Sequence, residues 1–339
     1  MQFSLLPPAW RKITLLLARI CALVFGFGCA GGVAADPTSY SSNIGVIYSA
    51  VEGPVAVIYP DIGEPYRSIF SQIIEGIEEQ TRTRVASYAV GINANVAEIS
   101  RDLMKNDIRV VIALGRNGLK TASSFGSNVN VVVGGVISAP DTETRGMTIL
   151  SLAPDPALLF SRLKGLKQTT KRILVVFDPK QNAWLIRLAR EAAAAAGIEL
   201  VAYEATDLKT SVRIYQDILK SIDSTRDALW LPQDTTTVEE SSVLPLILRE
   251  AWNHGFLVFS SNVAHVKRGA LFSLYPNNRG MGRSLANSAI TKVAQGRQTT
   301  SDVLPLKDVL MAVNVRTAAH LGIYNASKQQ GFDLVFPEQ

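Results

Sequence analysis

The chain has 339 residues, 47% of them hydrophobic, and a formal net charge of +5, which is long enough for two ordinary cores and apolar enough to fold throughout. Arg11, Lys12 and Arg19 stand in the first 35 residues with no acidic residue, so without that stretch the +5 falls by three to +2; a DNA binder needs a clustered basic face, and nucleic acid is excluded as a partner. Cys21 and Cys29 lie in the same stretch, which leaves no disulfide and no catalytic thiol for the rest of the chain.

From the amino terminus, Arg11 and Lys12 precede an apolar stretch, Ile13 to Gly28, and small residues lead to Val33-Ala34-Ala35. That pattern is a secretory signal peptide, expected to be cleaved after Ala35. Its uninterrupted hydrophobic part, Ile20 to Phe27, is far short of the roughly 20 helical residues that cross a bilayer. An uncleaved anchor and a lipid on Cys29 are the competing readings, although Gly26-Phe27-Gly28 lacks the branched apolar residue of a lipobox. The remainder is expected to be soluble and periplasmic.

Ser39 to Pro54 reads as a tether with one extra strand. Strands are then expected at Val55 to Tyr59, Arg84 to Val90, Val110 to Leu114 and Val129 to Gly134. Helices alternate with them at Tyr66 to Gln80, Ala94 to Lys105 and Asn117 to Ser124, and Ile69, Ile73, Ile74 and Ile77 mark one buried helical face. After Pro154-Asp155-Pro156 a second series begins, with helices at Ala157 to Leu166, Ala183 to Ala196, Val212 to Ser221 and Ser242 to His254. Its strands are Ile173 to Phe177, Glu199 to Ala202, Ala228 to Leu231 and Leu257 to Ser260. Such alternation builds parallel sheets with helices on both faces, so the fold class is α/β, with two similar three-layer α/β/α lobes.

Ligands of these sheets bind beyond the carboxyl ends of the strands. The candidate residues are therefore Asp61 and Tyr66 after the first strand, Arg116 and Asn117 after the third, and Ser138 after the fourth. In the second series they are Asp178 and Trp184, Asp234, and Ser260 with Asn262. Arg116 could grip a carboxylate beside helix N–H groups or be a solvated arginine. Asp234 could receive an amine or cap a helix, and Trp184 could stack on a ring or serve as core. Ser260, Ser261 and Asn262 offer short donors and acceptors or form a turn, and Asp61 before Gly63 is otherwise an ordinary turn. No catalytic, metal or cofactor site is expected: there is no Gly-x-Ser-x-Gly elbow, His254, His265 and His320 are not at ligand spacing, and Gly280-Met281-Gly282 completes no dinucleotide fingerprint.

Leu229-Trp230-Leu231-Pro232-Gln233-Asp234-Thr235-Thr236-Thr237-Val238 resembles the strand and loop of the ABC transporter substrate-binding proteins that include the tryptophan- and tyrosine-uptake lipoproteins. Gly269 to Ser273, Gly280-Met281-Gly282 and a helix ending at Gly296 resemble that family's strand, glycine turn and helix; Leu304-Pro305 and Val313 to Ile323 resemble its closing segment. The resemblance implies a type I periplasmic-binding fold with three crossings at a hinge. One lobe would hold residues 36–151 and about 276–304, the other 152–275 and about 305–339. It departs at Asp178 to Trp184, where the family has an acid followed by Asn and Ser, at Arg116, where it has a small Thr, and at Ile323-Tyr324-Asn325, which lacks a proline. The implied function is non-enzymatic closure of a monomer over a small amino-acid-like or aromatic carboxylate for delivery to an ABC permease. Reporting the ligand to a membrane sensor is the alternative.

Overall fold

Continuous β-branched runs become strands buried on both faces, and the intervening amphipathic segments become the helices that cover them. The computed structural model describes residues 53–125, 129–138, 144, 146–295, 302–323 and 331–337. The leader with both cysteines, the Ala35 site, the extra strand expected before Gly53 and the Tyr324-Asn325 departure lie outside them. In chain order the first elements are β1 (Val55–Pro60), α1 (Tyr66–Thr81), β2 (Ala86–Val90), α2 (Val96–Lys105), β3 (Val110–Leu114), α3 (Gly115–Ala122), β4 (Asn130–Val136) and β5 (Thr148–Pro154). There follow α4 (Pro156–Leu166), β6 (Arg172–Phe177), α5 (Pro179–Ala195), β7 (Glu199–Glu204), α6 (Leu208–Ser221), β8 (Asp227–Leu231), α7 (Val243–His254) and β9 (Leu257–Ser260). The last are α8 (Val263–Arg268), β10 (Phe272–Pro276), α9 (Asn278–Gln295), β11 (Asp302–Leu306), β12 (Val309–Asn314), α10 (Val315–His320) and β13 (Leu334–Phe336).

One sheet has the order β11-β5-β4-β3-β1-β2 and the other β13-β12-β10-β9-β8-β6-β7; both lie in one compact unit of the chain. The period of two along each strand divides the core by face. Val55, Val57 and Ile112 pack with Ile73, Ile77 and Leu285 of α1 and α9, whereas Ala56, Ile58 and Val111 pack with Ile99, Leu103 and Leu119 of α2 and α3. The second sheet is covered in the same way. Val175, Trp230 and Phe259 meet α4 and α5 through Phe160 and Leu185; Leu174, Leu229 and Val258 meet α6 and α7 through Tyr215 and Ile247. The chain leaves one sheet for the other after β5, after β10 and after β11.

The structure departs from the sequence expectation in several places. The second sheet is not wholly parallel, since β12 pairs antiparallel with β10. Only Lys307 and Asp308 separate β11 from β12, so the chain runs straight from the carboxyl end of one sheet into the other. Because both sheets point their carboxyl ends at the same space, the strand must enter the second sheet head-on. Gly280-Met281-Gly282 is not a turn but part of α9, where it lets two helix backbones touch: a Cβ on Gly282 would lie 2.1 Å from Ile73 O, and one on Gly76 2.1 Å from Arg279 O. Ile69 is 36% exposed rather than buried with Ile73 and Ile77. Finally, α3 and α5 begin two and four residues before the expected starts.

Candidate functional site

A cavity of about 750 Å3 opens between the carboxyl ends of the two sheets, within the size range of roughly 300–1,000 Å3 typical of small-molecule sites. Arg116 of α3, Gly135 to Ser138 at the end of β4, and Leu152 of β5 form one wall. The facing wall comes from Gln181 on α5, Pro232 to Thr235 and Val238 to Glu240 after β8, and Asn262 with His265 at α8.

The facing wall is held by two carboxylates. Asp234 is 4% exposed, and each of its oxygens accepts twice: Oδ2 from Asp178 N at 2.7 Å and Asn182 Nδ2 at 2.9 Å, Oδ1 from Thr236 N and Thr237 N at 3.0 Å each. Four donors satisfy the acceptor sites of a carboxylate. Asp234 thus fastens the loop after β8 to the start of α5. Asp178 caps α5, accepting from Lys180 N at 3.0 Å, and also accepts from Thr236 Oγ1 at 2.9 Å. Burial by itself would raise its pKa, but these bonds and one from Gln181 hold it below the ordinary carboxylate range. Glu239 accepts from the Ser242 hydroxyl at 2.6 Å and from the N–H groups of Ser241 and Ser242, which bring its pKa down to about 2. Asp178 and Glu239 are therefore ionised at neutral pH.

At α8 the bonding pattern selects one histidine tautomer. Ser260 Oγ donates to Leu231 O at 3.1 Å, so it must accept at 2.8 Å from His265 Nδ1–H. Asn262 Oδ1 accepts from Ala264 N at 2.9 Å, which turns its Nδ2 donor toward His265 Nε2 at 3.4 Å. His265 is neutral, its pKa lowered to about 4 chiefly by burial, with the nearby Arg268 charge adding to the effect and Glu240 opposing it. The cavity therefore meets an uncharged imidazole whose ring is fixed.

The opposite wall is more open. Arg116, Ile137 and Ser138 are exposed. Gly135 has φ +72° at a register shift between Val133 and Val136, a kink that redirects the end of β4 toward the cavity. One tie backs it: Ser151 Oγ donates to Ile137 O at 2.5 Å and accepts from Ala153 N at 3.0 Å.

Of the expected site residues, Arg116, Ser138, Asp234 and Asn262 line this cavity. The other six do not. Asp61 and Tyr66 follow β1, which lies beside edge strand β2 and away from β4, so both are exposed outside the cavity. Asn117 is one residue beyond Arg116 in the first turn of α3 and points about 100° away. Trp184 is in the second turn of α5, packed on the apolar core rather than aimed at a ligand. Asp178 and Ser260 are buried beneath the rim, positioning Gln181, Thr236 and His265. Lining residues that sequence reading overlooked include Gln181, Gln233, Glu239, Glu240 and His265. A longer reading of the loop after β8 would have found three of them; Gln233 Oε1 is buried there with no hydrogen-bond partner among the described residues.

Comparison with known proteins accords with this geometry. The model of the family described as ABC transporter substrate binding protein matches residues 73–328. Among solved structures, the ligand-free, open form of a substrate-binding protein with adhesive properties from Clostridium difficile is similar at 14% identity and a TM-score of 0.59, over 84% of this chain and 99% of that one. An ABC domain from Streptococcus pneumonia in complex with L-Trp is similar at 16% identity and a TM-score of 0.50, over 83% and 99%. At such identities the likeness is one of fold. A comparison with curated proteins finds no match.

Proposed function

The chain belongs to the ABC transporter substrate-binding protein family, and from that membership we propose that it is an exported protein that closes over an amino-acid-like carboxylate and delivers it to an ABC permease. The observation that carries the ligand class is the opposition of charge across one cavity: Arg116 stands on one wall, Asp234, Glu239 and Glu240 on the other. A zwitterion fits that field, its carboxylate met by the planar two-pronged guanidinium and its ammonium by the acidic side, where Glu240 is the most exposed acid. Gln181, Asn262 and the neutral His265 would read the remaining polar groups. Trp184 is half-buried and packed against the core, and no Phe, Tyr or Trp is among the described lining residues, so aromatic stacking is not part of the reading. The L-Trp in the pneumococcal domain is a zwitterion, but the support for this ligand class is the charge arrangement.

Contacts from both walls exist together only when the lobes are shut, so the ligand supplies differential affinity for the closed state and the permease reads closure. The family is extracytoplasmic, and no described helix is long and apolar enough to cross a membrane. Export by the leader with cleavage after Ala35 completes the reading, and amino-terminal sequencing of the secreted form is expected to start at Asp36.

The primary experiment is a thermal-shift screen with the common amino acids and related carboxylates. A ligand that binds only the folded state raises Tm, by about 2.7 kcal/mol of stabilisation at a hundredfold excess over Kd. A full panel without a shift overturns the ligand class. Neighbouring permease and ATPase genes support delivery; a lone sensor kinase or cyclase gene supports sensing.

A further inference from the structure

The helix α8 separates two recesses. His265 lines the cavity described above, while Lys267 and Arg268, in the last turn, line a second groove of about 460 Å3. Arg249 from α7 and Arg316 from the first turn of α10 enter the same groove, and no acidic residue is among its described lining. Two of the four cations are partnered from outside it: Arg249 Nε donates to Glu250 at 3.1 Å, and Arg268 Nη2 donates to Glu240 O at 2.9 Å. Lys267 and Arg316 have no acidic partner among the described residues.

Elementary electrostatics accounts for only part of this clustering. A cation in the last turn of a helix is favoured by the exposed carbonyls, which explains Lys267 and Arg268, but the first turn disfavours one, and Arg316 sits there. Nor is the chain strongly basic once its first 35 residues are set aside, so four like charges around one groove are a local feature. Between the cations the surface is apolar. Leu248 and Trp252 line it, the indole 45% exposed yet held in place by stacking on His320 with centroids 3.8 Å apart and planes 8° from parallel. His320 Nε2–H also donates to Trp252 O at 2.8 Å. A merely solvated charged face needs neither an apolar floor nor an immobilised ring, and a concave recess fits one inserted group better than a flat bilayer surface.

We propose that this groove is a second binding site, for an amphipathic anion: a phosphate or carboxylate held by Lys267 and Arg316, with its apolar body against Trp252 and Leu248. The site is separate from the cavity between the sheets and joined to it by Arg268, which reaches Glu240 of the cavity wall. Calorimetric titration of the intact protein with phenylphosphate at low salt tests it. Saturable 1:1 binding is expected, about tenfold or more tighter than inorganic phosphate or phenol alone, because each probe lacks one half of the interaction. The double variant Lys267→Gln/Arg316→Gln, at two exposed positions, is expected to lose about tenfold or more in affinity, whereas Arg116→Ala retains it. Trp252→Phe should remove any accompanying change in fluorescence while calorimetric binding persists. Absence of saturable binding, equal binding by the double variant, or phenol binding as well as phenylphosphate overturns the proposal. So does charge-dependent binding to phosphatidylglycerol vesicles without phenylphosphate binding, which would assign the patch to a membrane surface.

Discussion

The two walls of the cavity are built on opposite principles. On the side of β6, β8 and β9, buried Asp234 and Asp178 accept bonds from six different residues and fasten the loop after β8 to α5. On the side of β3 and β4, Arg116 and Ser138 are exposed, and Ser151 Oγ ties the rim through Ile137 O. A saturated buried network resists rearrangement because any displaced donor is left without water or partner. One wall is thus a fixed template, and the other presents its polar side chains, Arg116 and Ser138, at the surface. The lesson is that an acid lining a cavity need not be free to touch what enters it: Asp234 lines the cavity while its oxygens are committed to protein N–H groups.

The comparison breaks most severely at Asp234. Asp234→Ala leaves four donors unpaired, and a loss of about 3–5 kcal/mol in urea unfolding is expected, since each buried unsatisfied group costs about 1–3 kcal/mol and they do not add fully. A loss no larger than that of an average surface substitution would show that the wall is not held as described. Away from either wall, Gly282→Ala tests the backbone contact behind the first sheet. Its Cβ would meet Ile73 O at 2.1 Å, a clash with backbone that costs about 2–3 kcal/mol in the same measurement.

Arg116→Ala sharpens the contrast from the other side. Ligand affinity measured by calorimetry should fall by about 1.5–3 kcal/mol, the range for hydrogen bonds to a charged group. Stability should fall far less than for Asp234→Ala, and Arg116→Lys should recover part of the affinity. Arg67→Ala, exposed on α1, is the control and is expected to change neither. A further effect is one of pH. His265 has its pKa lowered from 6.5 to about 4 in the folded protein, so as pH falls the unfolded chain takes up this proton first. Stability from this group is lost between about pH 6.5 and 4 and is level below that. His265→Asn, compared with the parent protein by urea unfolding at pH 7 and 4.5, should show a smaller drop. An identical drop would mean that the imidazole is not held neutral by burial.

Much of the architecture is written in the pattern of residue types. The expected bounds of β3 and β9 are those observed, because a run such as Val110 to Leu114, with no polar alternation, can be satisfied only inside a sheet covered on both faces. β5 was overlooked, since Pro154-Asp155-Pro156 reads as a break although the strand runs up to it before Asp155 caps α4. The glycines of α9 read equally well as a turn or as a close helix crossing, and only α1, some 200 residues earlier, makes them the latter. The site was legible to the same extent and for the same reason. Sequence placed the strand ends, and with them Arg116, Ser138, Asp234 and Asn262 at the cavity. It could not tell Asp234 the ligand contact from Asp234 the fastener, because the deciding donors come from Asp178 and Asn182 more than 50 residues away. Nor could it turn Trp184 inward, which follows from where α5 begins and which face meets the sheet. Periodicity and turn chemistry are local and survive in one dimension. Which polar atom is already satisfied is decided only when distant segments meet, and that is a property of the folded chain.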